Sequence, residues 1–183
     1  FDYGLKYSHY NFTGRNDFLR IWLITGYTRQ VELAYDQPYT GRQLKHGFGG
    51  GFKYAGQKEL NIITTDNKQV FVNRDSLAGA GKFLREEMNF SLRYYYRPGL
   101  RTRHFLRFSF NHVKIDSSVL NYNPVYFLNS KKNIFYPELS YTIRYNNIDY
   151  VPYPTRGFFM EGGLLKRGIS ADMNMWQLNA KTS

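Results

Sequence analysis

Apolar and polar residues alternate with period two along most of the chain. From Met88 to Arg97, Met88, Phe90, Leu92, Tyr94 and Tyr96 share one parity, and Asn89, Ser91, Arg93, Tyr95 and Arg97 the other. Successive side chains of a strand project to opposite faces, so this spacing predicts a strand with one apolar face. Between Pro137 and Asn146 the pattern recurs, with Pro137, Leu139, Tyr141, Ile143 and Tyr145 opposing Glu138, Ser140, Thr142, Arg144 and Asn146. Leu106, Phe108 and Phe110 likewise oppose Arg107, Ser109 and Asn111. Weaker versions run through Phe1–Ser8, Gln30–Tyr35, Phe48–Tyr54 and Trp176–Lys181. No window carries a 3.6-residue apolar stripe, so helices are not expected. The spacing predicts about nine strands, several of about ten residues, the length a tilted strand needs to cross a bilayer.

Breaks in the alternation predict the connections. Asn11–Asp17, Gly26–Arg29, Arg97–Gly99 and Lys166–Asp172 are expected as short turns, and Asp36–Lys45 as a loop holding Pro38 and Gly41. Ala55–Leu84 is expected as a long polar loop with a hairpin of its own around Asn61–Asn73. Asp116–Asn133 and Asn147–Gly157 complete the set. Short turns at one end of the strands and longer loops at the other are the outer-membrane barrel pattern, with two short connections at the loop end departing from it.

Composition sharpens the choice between a membrane barrel and a soluble sandwich. Aromatic residues make up 19% of 183 residues, with 17 Tyr, 15 Phe and 2 Trp. They concentrate on the apolar parity, as in interfacial girdles. The strands are also long for a sandwich, whose usual strand has about five or six residues. Whole charges in mid-strand, such as Arg93, Arg107, Glu138 and Arg144, fit either a wet lumen or a solvent face and decide nothing. Length and girdle favour the barrel. Apolar runs are short, like Ile21–Ile24, so no transmembrane helix is expected. The chain begins at Phe1 without Met and is expected to be a mature protein or a fragment.

Charge raises one competing class. Lys and Arg number 25 against 14 Asp and Glu, a net charge of +11, and Arg97–Arg107 interleaves basic and aromatic residues as a nucleic-acid surface would. The alternation sends half of those basic residues away from the aromatic face, so lumen and rim charge is the better reading, and no nucleic-acid partner is expected. There is no cysteine, which removes disulfides, thiolate metal sites and thiol catalysis. His9, His46, His104 and His112 sit on separate strands without a carboxylate cluster, so no metal is expected. Gly79–Lys82 resembles a phosphate loop, but Ser76 stands where an earlier Gly is needed and Phe83 where Ser or Thr is needed. Gly47, Gly49, Gly50 and Gly51 lack the last Gly of a dinucleotide fingerprint and are expected to permit curvature or close backbone approach. No catalytic or cofactor-binding residues are expected.

Three turn regions carry a family resemblance. Asn11-Phe12-Thr13-Gly14-Arg15 resembles the N-F-x-G-x turn near the start of Omp85 superfamily (BamA/TamA-like bacterial surface antigen) barrels. Asp36-Gln37-Pro38-Tyr39 resembles their strand-ending acidic-x-Pro-aromatic turn. Tyr145–Asp149 followed by Pro154-Thr155-Arg156-Gly157-Phe158 resembles the D-N-x-D … P-T-x-G turn midway round the barrel. Asn16 stands where the family usually has Gly, Ile148 where Arg is common, and the V-R-G-F/Y hallmark is missing. The resemblance implies an all-β antiparallel transmembrane β-barrel, of which 1–183 would be a single barrel domain or part of one, without a POTRA domain. By this alignment the chain would supply about nine central strands of a sixteen-stranded Omp85-type barrel.

The resemblance also implies a bacterial outer-membrane machine that inserts or translocates proteins. It would act by strand templating at a barrel seam outside this chain, with no bond broken. Its partners would be outer-membrane lipid, the remaining barrel strands and POTRA domains of the parent protein, and unfolded outer-membrane protein clients. Asn11, Phe12, Gly14, Asp36, Pro38, Asp149, Pro154 and Gly157 would be structural turn residues, and no cofactor is expected. A passive porin or transporter barrel is the alternative.

Overall fold

β-branched and aromatic residues at period two build one large antiparallel meander. In the computed structural model, residues 1–77, 82–127, 130–149, 155–170 and 173–183 are described. The strands are β1 (Tyr3–Tyr10), β2 (Phe18–Thr25), β3 (Thr28–Thr40), β4 (His46–Gln57), β5 (Glu59–Thr65), β6 (Lys68–Asn73), β7 (Arg85–Tyr96), β8 (Thr102–Ile115), β9 (Asn133–Asn146), β10 (Phe159–Ser170) and β11 (Met173–Thr182). Nine of them form a single sheet in the order β1-β2-β3-β4-β7-β8-β9-β10-β11. β5 and β6 make the separate hairpin that the sequence places around Asn61–Asn73.

The register aligns the two parities into continuous bands. Tyr7, Ile21, Leu33, Phe52, Phe90, Phe110 and Pro137 lie side by side across seven strands. One residue along, Ser8, Arg20, Ala34, Gly51, Ser91, Ser109, Glu138 and Arg167 form the matching polar band. Burial is inverted relative to a water-soluble protein. Phe90 is 47% and Leu92 50% exposed, whereas Ser109 is 1%, Ser91 5% and Asn111 7% exposed. The sheet therefore curls around its polar face and turns its apolar face outward. Its accessible surface is 12396 Å². A compact monomer of this mass would expose about 9,200 Å². The excess is the uncovered apolar face together with the two open edges, β1 and β11.

Four strand limits differ from the alternation. β3 continues to Thr40, so Asp36 and Pro38 lie within the strand and only 41–45 turn. Proline has no N–H to give the ladder, and the β3–β4 register shifts between Gln37 and Thr40, the bulge that accommodates it. β4 runs on to Gln57, and β10 to Ser170 through a second register shift after Arg167. β3 also begins at Thr28, inside the expected Gly26–Arg29 turn.

The long connections are not wholly irregular. A 3₁₀ turn spans Arg74–Ser76, and α1 spans Ser117–Tyr122. Asp116 caps α1 by accepting from the Ser118 N–H at 2.9 Å. A helix of 6 residues is too short to show a periodic stripe, which is why the sequence predicts none. The two long loops pack against each other through Leu60, Ile62, Leu77, Leu84, Ile115 and Val119, the main buried apolar cluster among the described residues. Asn123 Nδ2 ties them further by donating to the Ile62 carbonyl at 2.9 Å.

Candidate functional site: the inner face and the turn rim

Because strands present alternate residues to opposite faces, every mid-strand charge of the right parity arrives on the inner face. Once the register is set, these charges pair across strands. Arg20 meets Glu32 at 3.1 Å, Arg93 meets Asp36 at 2.9 Å, Arg144 meets Glu161 at 2.6 Å and Arg167 meets Glu138 at 2.7 Å. Asp36 is the most heavily used. Its second oxygen accepts from the Tyr95 hydroxyl at 2.6 Å, while Arg93 also donates to the Gly50 carbonyl at 2.8 Å. Gly49 makes room for this cluster, since a Cβ there would lie 2.0 Å from Asp36 Oδ1. The glycine run of β4 thus serves close approach on the inner face.

Sequence reasoning reads Asp36 as a turn residue and does not join it to Arg93 and Tyr95. All three share a parity, but their meeting depends on the β3–β4–β7 register, across a gap of 59 residues between Asp36 and Tyr95.

Three of the four histidines lie in ring stacks at the turn end of the apolar face. His46 packs with Tyr94 and Tyr96 and shares a 2.8 Å hydrogen bond with the Tyr94 hydroxyl. His104 packs with Tyr96 and Tyr141 and shares a 2.7 Å bond with Tyr141. His9 packs between Tyr7 and Phe12. These are girdle contacts. Among the described residues no group of three acidic or histidine side chains converges as a metal site would.

The turn rim gathers the motif residues. Asn11 takes φ +60° and Asn16 φ +57°, the left-handed region that asparagine tolerates better than other side-chain-bearing residues. That tolerance is the physical reason asparagine can occupy both positions. Asn11 Oδ1 accepts from the Asn16 N–H at 2.8 Å, and the Asn11 N–H donates to the Asp17 carbonyl at 2.6 Å. Both Asp17 oxygens accept from the Thr13 N–H, at 3.0 and 3.2 Å. Desolvation pushes the Asp17 carboxyl up, but hydrogen bonds from Thr13 and Tyr35 outweigh it and hold the group below its ordinary value. Gly14 sits at φ +80° in the middle of this turn.

The second rim motif is organised by Asp149. Its carboxylate accepts from the Thr155 N–H at 3.1 Å, the Thr155 hydroxyl at 2.5 Å and the Arg156 N–H at 3.1 Å. Gly157 is obligatory here. It takes φ +102°, and a Cβ would lie 1.8 Å from the Asn147 carbonyl oxygen. Pro154 lies outside the described residues, as do Gly79, Ala80 and Gly81 of the apparent phosphate loop.

The arrangement binds and shapes backbone and presents paired charge to an interior. A solved structure titled "The crystal structure of BamA from Haemophilus ducreyi lacking POTRA domains 1-3" is similar to this chain, with a TM-score of 0.58 and 15% sequence identity. The similarity covers 99% of this chain and 35% of that one, so the chain spans about a third of that structure. At this identity the likeness is one of fold: a wall of an antiparallel barrel. A search of curated proteins finds no match. The Omp85 superfamily domain, however, matches residues 11–183, taking in every strand from β2 onward and all three turn motifs, and the chain belongs to that superfamily.

Proposed function

We propose that this chain is wall of a bacterial outer-membrane barrel that inserts or translocates other outer-membrane proteins. The observation that carries the reading is the inverted sheet: nine strands with an exposed apolar face and a sheltered, ion-paired polar face, within the Omp85 superfamily. Lipid satisfies such an outer face and a wet lumen such an inner one. The working step would be strand templating at a seam of the barrel outside this chain, where unpaired N–H and C=O groups accept an incoming strand. No covalent bond changes, so the machine needs no nucleophile, metal or cofactor. POTRA domains, further barrel strands and unfolded clients would be its partners.

The test reconstitutes the barrel protein carrying this chain into phospholipid vesicles. A urea-denatured outer-membrane protein is then added, and its folding is followed by heat-modifiable gel mobility. Faster client folding than in empty or porin-containing vesicles is expected. Unchanged client folding together with free solute flux would overturn the assembly reading in favour of a passive pore.

A further inference from the structure

Not every cation on the inner face is paired. On β8, Arg107 stands directly opposite Arg93 of β7. Arg93 is held by Asp36 and the Gly50 carbonyl, and Asp36 is already shared with Tyr95. Arg107 has no carboxylate within ion-pair reach among the described residues. Lys53 of β4 is in the same position, because its cross-strand neighbour Glu32 is taken by Arg20 and Gln30 at 3.1 Å each. Arg107 is exposed and Lys53 half-buried, and like charges facing each other across a ladder destabilise it.

These two cations border a pocket of about 200 Å³ on the inner face, shared with Arg20, Arg93, Asn89 and Ser91 and floored by Ala34 and Gly51. Small residues open the space and larger donors surround it. Unused donor capacity lies in and beside it: Arg93 Nε, Ser109 Oγ and Asn111 Nδ2 have no hydrogen-bond partner among the described residues, although Ser109 is 1% and Asn111 7% exposed. Ser109 neighbours Ser91, and Asn111 neighbours Asn89, in the β7–β8 register. Among the described residues, Glu32 is the only acidic side chain lining the pocket, and it is already occupied.

We infer that this pocket is an anion site in the barrel lumen, which binds one compact carboxylate or phosphate group between Lys53 and Arg107. Such an oxyanion supplies the acceptors that the cross-strand neighbours lack, and Arg favours it for bidentate geometry. The inference rests on the polar face being a lumen. Two sources fit the chemistry: an acidic side chain of another segment of the same protein folded into the lumen, or a free anion.

The test uses the barrel protein carrying this chain in detergent micelles, first checked for heat-modifiable mobility. Absence of that mobility would refute the barrel reading, and with it a site in a lumen; the two measurements that follow test the anion site itself. Thermal unfolding is measured in about 20 mM sodium phosphate and in sodium chloride of equal ionic strength. In parallel, a zero-length carbodiimide crosslink joins Lys53 to any carboxylate it touches, and mass spectrometry maps the product. A free-anion site predicts a phosphate-specific rise of about 2–4 °C in the midpoint. That rise should vanish in Lys53→Gln and Arg107→Gln and persist in Lys68→Gln on the β5–β6 hairpin. An internal carboxylate predicts no phosphate effect but a Lys53 crosslink to an acidic residue other than Glu32. Neither a phosphate effect nor any crosslink beyond Glu32 would overturn the inference. Arg107→Lys keeps the charge and should retain whichever signal the native protein gives.

Discussion

Phe90→Arg tests which face of the sheet meets lipid. Phe90 lies in the middle of the seven-strand apolar band, between Phe52 and Phe110. It is 47% exposed on the sheet's outer face. A phenylalanine side chain buries about 200 Å², so about 95 Å² of Phe90 is left for lipid to cover, worth about 2 kcal/mol. An arginine near the bilayer midplane adds about 2–4 kcal/mol. The variant should therefore lose about 4–6 kcal/mol. Were the same face wet, the change would fall within about 0.5 kcal/mol of neutral, as surface substitutions do. A polar-face control is Asn89→Ser, which removes the 2.6 Å bond from Asn89 Nδ2 to Asn111 Oδ1 and should cost about 1 kcal/mol. Urea unfolding from phospholipid vesicles, followed by tryptophan fluorescence, measures both. A Phe90→Arg cost no larger than that of Asn89→Ser would refute the lipid-facing assignment.

Three further outcomes are expected. Gly157→Ala forces a side chain into φ +102° and against the Asn147 carbonyl, and should cost about 1–3 kcal/mol with faster proteolytic cleavage of the 147–158 turn; wild-type resistance would contradict the strain. Asp17 titrates below its ordinary value in the native turn, so its contribution is fully present above the unfolded carboxylate range and is lost as pH falls through the lowered native value. Asp17→Asn should flatten that acid limb in hydrogen exchange of the Thr13 amide, and an unchanged limb would show that the carboxylate does not hold the turn. The isolated chain exposes the unpaired edges of β1 and β11 and should self-associate in detergent; a monodisperse monomer by light scattering, with both edge strands protected from exchange, would show that it closes by itself.

Which residues share a face follows from the local pattern alone. Period-two parity is local information, so Leu106, Phe108 and Phe110 could be assigned to one face and Arg107, Ser109 and Asn111 to the other before any pairing was known. The Asn61–Asn73 hairpin was legible for the same reason, since it closes over a few residues. The remaining features depend on register and loop packing. Asp36 looks like part of a turn because Pro38 breaks the ladder, yet a bulge carries the strand on to Thr40 and brings Asp36 to Arg93 and Tyr95. An arginine inserted at Ser109 looks harmless from parity alone, but Ser109 is 1% exposed between Ser91 and Glu138, with no room for it. The loop core joining Ile62 to Val119, and the unpaired cations Lys53 and Arg107, were likewise invisible. Each is a relation between segments tens of residues apart, and alternation says which way a side chain points but not what it meets.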